Sequence, residues 1–196
     1  MAACEPRLFR RVYGQGFRHS SHPRELAGGL TMTPPSANRR GPTRLLIRRA
    51  TERDARAISD LIRRNAEAIL ARDYTVEQMA AWRRYNTPAR LRRRIAERVT
   101  FGAFRRRRLC GTVAFEKGEL QGLYVSPRCC GRGIGRFLLA HLEAFAASRG
   151  SRRLHLTSTP GAVAFYAANG WRSERTMAVD ILGVRFDETL MTKRLP

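Results

Sequence analysis

The segment from Glu119 to Gly150 constrains the fold more than any other part of the chain. Residues 119–126 alternate as a strand. Gly131, Gly133 and Gly135 then punctuate a tight turn. An amphipathic helix follows from about Gly133 to Arg149, and Gly150 stops it at its C-cap. A strand that turns sharply into a helix aims unpaired backbone N–H groups outward, where the helix dipole favours an anion. The glycines let a ligand oxygen approach the main chain closely. The spacing is G-x-G-x-G. It lacks the last step of the dinucleotide G-x-G-x-x-G, and no Gly-Lys-Ser/Thr marks a P-loop.

The elements around this segment follow from local punctuation. Leu45–Ala50 reads as a first strand. Thr51-x-x-Asp54 resembles a capping box, and Ile58, Leu61, Ile62, Ile69 and Leu70 then fall on one helical face through Ala71. Thr75 to Gln78 forms a second box before a short helix carrying Met79 and Trp82. Thr87-Pro88 opens a third helix, to about Glu97. Three strands follow at residues 99–104, 109–115 and 119–126. After the long helix come a strand at 153–157, a helix from Thr159-Pro160 to Asn169-Gly170, and strands at 171–179 and 185–193. The order β-α-α-α-β-β-β-α-β-α-β-β mixes hairpins with crossover helices. It predicts an α/β (α+β) fold: a central mixed, mostly antiparallel sheet with helices on both faces.

Composition sets the outer limits. A chain of 196 residues with 43% hydrophobic content can fill a core. The most apolar stretch, 134–147, is broken by Arg136, His141 and Glu143, so no membrane span is expected. The net charge is +22, yet only Lys117 and Lys193 are lysines and the other 36 basic residues are arginine. A coding bias explains that ratio without a nucleic-acid partner. The charge itself predicts only non-specific attraction to polyanions at low salt. No aromatic strand platform or recognition helix supports a specific nucleic-acid surface. Cys4, Cys110, Cys129 and Cys130 have no zinc spacing, so no metal site is expected. Free thiols point to a cytoplasmic setting. Residues 1–44 hold eight arginines, two acids and repeated prolines, with no sustained period. They read as a disordered Arg/Pro-rich extension, and residues 45–196 as the domain.

Two motifs carry a family resemblance. Leu123-Tyr124-Val125-x-Pro127, followed by Gly131-Arg132-Gly133-Ile134-Gly135-Arg136-x-Leu138-Leu139, resembles the acetyl-CoA loop of the GNAT superfamily of N-acetyltransferases. Ala164-Phe165-Tyr166-Ala167-Ala168-Asn169-Gly170-Trp171 is similar to that family's later Phe-Tyr-x-x-x-Gly-aromatic motif. Order and separation also match, over about residues 45–196.

The resemblance implies acetyl transfer from acetyl-CoA, as co-substrate, to a primary amine by direct attack. The main chain of Leu123 and Val125 would pair with the pantetheine arm where the sheet splays. The N–H groups of Gly131, Arg132, Gly133, Ile134, Gly135 and Arg136 would cradle the pyrophosphate. Tyr166 would protonate the departing thiolate. An ammonium acceptor must lose a proton first, and Glu119 is the candidate base, with Glu116 as alternative. Strict alternation puts Glu119 on one face with Gln121, Leu123 and Val125, and Tyr124 on the other. Tyr74 and Trp82 stand in the region that shapes the acceptor pocket in the superfamily, though a Met79/Trp82 stripe also suits a core. Cys130 stands where the family usually has Gln or Arg, and Thr157, Ser158 and Thr159 where many relatives carry Asn. Direct transfer needs no thiol at Cys129-Cys130. The acceptor is a small-molecule or peptide amine, and the chain a monomer or homodimer. The competing readings are a CoA-binding regulator without turnover and a basic nucleic-acid-binding module.

Overall fold

The computed structural model describes residues 45–196. The extension expected over residues 1–44 lies outside the described residues. Seven strands form one sheet in the order β1-β2-β3-β4-β5-β7-β6. They are β1 (Leu45–Arg49), β2 (Val99–Arg105), β3 (Arg108–Glu116), β4 (Glu119–Val125), β5 (Arg153–Ser158), β6 (Arg172–Ile181) and β7 (Val184–Arg194). All neighbours run antiparallel except β4 and β5. The helices are α1 (Ala55–Ala68), α2 (Val76–Tyr85), α3 (Pro88–Glu97), α4 (Ile134–Ser148) and α5 (Val163–Ala167). The expected element order holds throughout, on a mixed, mostly antiparallel sheet.

The capping residues act where the spacing placed them. Asp54 accepts from the Thr51 N–H at 2.8 Å. Thr75 and Gln78 bond reciprocally, at 3.2 and 2.8 Å. A cap of this kind contributes about 1 kcal/mol. Two helices are shorter than expected: α1 ends at Ala68, with Leu70–Arg72 a separate 3₁₀ turn, and the helix expected from Thr159-Pro160 opens as a 3₁₀ turn over Pro160–Ala162 before α5. Ile69 therefore leaves the apolar face and is 39% exposed.

Two cores flank the sheet. Ile58 and Ile62 of α1, Met79 and Trp82 of α2, and Leu91 and Ile95 of α3 pack with Phe186 on one face. Leu138, Leu139 and Leu142 of α4 pack with Val113, Leu120, Tyr166 and Met191 on the other. Lys193 Nζ meets Glu143 Oε2 at 2.7 Å, and Trp171 Nε1 donates to Glu143 Oε1 at 2.9 Å. Those bonds tie α4 to the corner after α5. Among the described residues no helix is long and apolar enough to cross a membrane.

The sheet opens in its middle. Strands β4 and β5 share one register pair, Glu119 with His155, beside a bond from the His155 N–H to the Gly118 carbonyl at 3.1 Å. Beyond that point β4 follows β3 alone. The β3–β4 register shifts between Thr112 and Ala114, opposite Gly122, whose φ is +58°. A bulge inserts one residue and increases local twist, which turns β4 away from its neighbour.

That bulge also corrects the face assignment. Strict alternation would group Glu119 with Leu123 and Val125. Instead Leu120, Leu123 and Val125 all contact the α4 core, while Tyr124 packs in the α1–α3 core. Glu119 and Gln121 thus share the α1–α3 face with Tyr124. The extra residue at the bulge flips every side chain after it.

Candidate active site

The loop between β4 and α4 is built around two left-handed glycines, Gly131 (φ +72°) and Gly133 (φ +75°). Gly133 is the N-cap of α4, and no side chain caps the helix. The first helical bond is Phe137 N–H to Gly133 C=O, at 3.0 Å. The N–H groups of Ile134, Gly135 and Arg136 therefore have no partner within the helix. A Cβ added at Gly131 would meet nothing within 4 Å. The Ile134 side chain is 2% exposed and anchors the loop in the core, whereas Arg132 and Arg136 are exposed. Uncapped donors, open space over Gly131 and two exposed arginines fit a diphosphate.

Gly135 has a further reason to be glycine. A Cβ there would press the Phe165 ring at 3.3 Å. The missing side chain lets the start of α4 approach α5, the helix that carries Tyr166.

Along the opening, Val125 turns its main-chain groups away from β3. The Ser126 N–H donates to the Cys110 carbonyl at 2.8 Å, so its predecessor points the other way. The Val125 carbonyl accepts from Asn65 Nδ2 of α1 at 2.8 Å. A carbonyl has two lone pairs, so one remains for an extended ligand.

Tyr166 lies on the far side of the opening. It is 6% exposed, with its ring edge-on to Phe165 at 5.2 Å and to Trp171 at 5.8 Å. Burial, aided by the Glu188 charge, lifts its pKa. The phenol keeps its proton through neutral pH and so has one to donate.

Glu119 sits at the closed end of the opening. Burial lifts its pKa to about 7, against the Gln121 amide, which donates to Oε2 at 2.8 Å. Glu116, its register partner on β3, adds like charge. Gln121 in turn accepts from the Arg98 guanidinium, itself held below its ordinary pKa by burial. A carboxyl poised near 7 suits a general base.

Residues 70–186 match the acetyltransferase (GNAT) domain family. The chain belongs to the GNAT acetyltransferase family. It is an acyltransferase. Among curated proteins none matches. Among solved structures, a GCN5-related N-acetyltransferase from Rhodopseudomonas palustris is similar with 28% identity and a TM-score of 0.73, over 76% of this chain and 95% of that one. The PaiA N-acetyltransferase of Thermoplasma acidophilum, solved in complex with coenzyme A, shares the fold at 21% identity and TM-score 0.65, over 76% and 98%. So does the phosphinothricin acetyltransferase of Sinorhizobium meliloti in complex with acetyl-CoA, at 22% and 0.59, over 77% and 88%.

In this GNAT chain Glu119 stands on β4 and Tyr166 on α5, the helix that follows β5. One buried acid escaped the sequence reading. Glu188 of β7 is 5% exposed and lies within electrostatic reach of Tyr166, Tyr124 and Glu119. Its signal was present: Phe186, Glu188 and Leu190 share strand parity, which puts an acid on an otherwise apolar face. Tyr74 and Trp82 stack at 6.2 Å, and Trp82 meets Tyr124 at 6.4 Å. Trp82 is thus a core residue that faces the sheet at Tyr124 and Phe186.

Proposed function

We propose that this chain transfers the acetyl group of acetyl-CoA to a primary amine by direct attack, with Glu119 as base and Tyr166 as acid. The observation that carries this reading is the opening between β4 and β5, with an uncapped helix N-terminus at its rim and a buried phenol on its far side. The complexes of the Thermoplasma and Sinorhizobium proteins with coenzyme A and acetyl-CoA support the same co-substrate here.

In this reading the N–H groups from Gly131 to Arg136 hold the pyrophosphate, and Arg132 and Arg136 offset its charge. Leu123 and Val125 pair through their main chains with the pantetheine arm. Glu119 takes a proton from the acceptor ammonium, which frees the nitrogen lone pair for attack on the thioester carbonyl. The carbon–nitrogen bond forms and the carbon–sulfur bond breaks; Tyr166 gives its proton to the leaving sulfur, and the second proton shed by the new amide nitrogen restores the phenol through solvent. The acceptor is a small molecule or a peptide amine. The setting is cytoplasmic, where the free thiols Cys110, Cys129 and Cys130 stay reduced.

A library of primary amines incubated with acetyl-CoA, followed by release of the CoA thiol, tests the reading. At least one amine should be acetylated. No turnover with any amine, alongside intact acetyl-CoA binding, would favour a CoA-binding regulator instead.

A further inference from the structure

Arg98 stands at the C-cap of α3, where the chain turns into β2. Two acids lie within electrostatic reach of it, Glu116 and Glu119. Among the described residues it closes an ion pair with neither. Its Nη1 donates instead to Gln121 Oε1, a neutral acceptor. Its Nε is buried without a hydrogen-bond partner. A buried guanidinium that bonds a neutral amide beside two acids is not explained by charge pairing.

The two ends of that amide supply the reason. A carboxamide carries an acceptor oxygen and a donor nitrogen, whereas a guanidinium carries donors only. Arg98 can therefore hold the oxygen end alone. The nitrogen end then faces the other neighbour, and Gln121 Nε2 donates to Glu119 Oε2 at 2.8 Å. With Oε2 held, Oε1 is left to receive a proton. A reversed amide would turn its oxygen to Glu119, which repels the carboxylate and favours the protonated acid. The other elements around Glu119 do not supply this support. Glu116 of β3 and Glu188 of β7 disfavour the carboxylate, while Gln121 and Arg98 favour it. His155 of β5 is its register partner.

We propose that Arg98 is a positioning residue: it fixes the direction of the Gln121 amide and, through that amide, orients the Glu119 carboxylate for proton transfer. Glu119's part as base rests on the acetyl-transfer reading; the link from Arg98 through Gln121 to Glu119 does not.

Carbon-13 NMR of the full chain, labelled at the glutamate carboxyl carbons, tests this. The Glu119 signal is assigned by its loss in Glu119→Gln, and in the parent it should titrate at about 7. Arg98→Met should make Glu119 a roughly tenfold weaker acid. Arg98→Lys keeps a donor and the charge, and should restore most of the parent's midpoint. In a Gln121→Met background, Arg98→Met should change the midpoint much less. An unmoved midpoint in Arg98→Met, or an equal change with and without Gln121, overturns the link. The unmodified chain decides even if Arg98→Met fails to fold: the Gln121 Nε2 protons should shift as Glu119 titrates, and their indifference overturns the link as well. Turnover separates the two ideas. With an acetylated amine in hand, the acid limb of kcat/KM should move up in pH with the Glu119 midpoint in Arg98→Met. A moved midpoint with an unmoved limb supports the link and removes Glu119 as base. A moved midpoint with no amine acetylated supports the link and sinks the acetyl-transfer reading.

Discussion

Asn65 Nδ2 donates to the Val125 carbonyl at 2.8 Å, joining α1 to the end of β4 across 60 positions of sequence. Beyond its pair with β5, β4 has a sheet partner on one side only. The Asn65 amide is a polar tether for its free edge, supplied by a helix on the sheet's other face.

Asn65→Leu keeps the volume and removes the donor, leaving a shielded carbonyl short of a partner. The variant should lose about 1–3 kcal/mol of stability. Urea denaturation measures the loss, and acetyl-CoA affinity should fall with it as the strand end loosens. Unchanged stability would mean the bond holds nothing in place.

Gly133→Val tests the anion cradle. At φ +75° a β-branched residue is strained by about 1–3 kcal/mol. The core residues around α4 are untouched, so the domain should remain folded by circular dichroism. Acetyl-CoA affinity should drop by more than tenfold in calorimetry. Parental affinity in a folded variant would remove the loop from the binding site.

Tyr166→Phe keeps the ring between Phe165 and Trp171 and deletes only the hydroxyl. A positioned acid contributes about 10²–10⁴-fold, so kcat should fall within that range while acetyl-CoA affinity barely moves. Turnover equal to the parent from about pH 6 to 9, a span chosen around ordinary thiol and imidazole pKa values, would show that the acid lies elsewhere.

Glu119 gives a pH prediction with a fixed sign. Its folded pKa of about 7 is above the ordinary value of 4.5, so the base is inactive when protonated below 7. The ratio of parent to Glu119→Gln rates should climb as pH rises toward 7 and then level, whatever the acceptor's own ionisation. Stability runs the other way. A raised carboxyl pKa favours the folded state at low pH, and that contribution is lost as pH rises from about 4.5 through 7. Glu119→Gln should therefore gain on the parent, by on the order of 3 kcal/mol, between pH 4.5 and 8. A flat rate ratio and a flat stability difference would together exclude Glu119 as a titrating base.

The sequence alone determined the element order, the caps at Thr51, Thr75 and Thr87, and the glycine-rich start of α4. Each depends on residues within a few positions of one another, where spacing and backbone preference act directly. Both family motifs were legible for the same reason. Only the tertiary structure decided which side of β4 Glu119 occupies. A bulge at Gly122 reverses the parity of the strand, and a bulge depends on how β3 and β4 pair. Tertiary packing also decided that Gly135 must yield to Phe165, that Asn65 reaches Val125, and that Glu188 meets Tyr74, Tyr124 and Tyr166. Those groups lie 22 to 114 positions apart in sequence. No local pattern couples residues at such separations; the twist that opens β4 from β5 and the burial of both sheet faces bring them together.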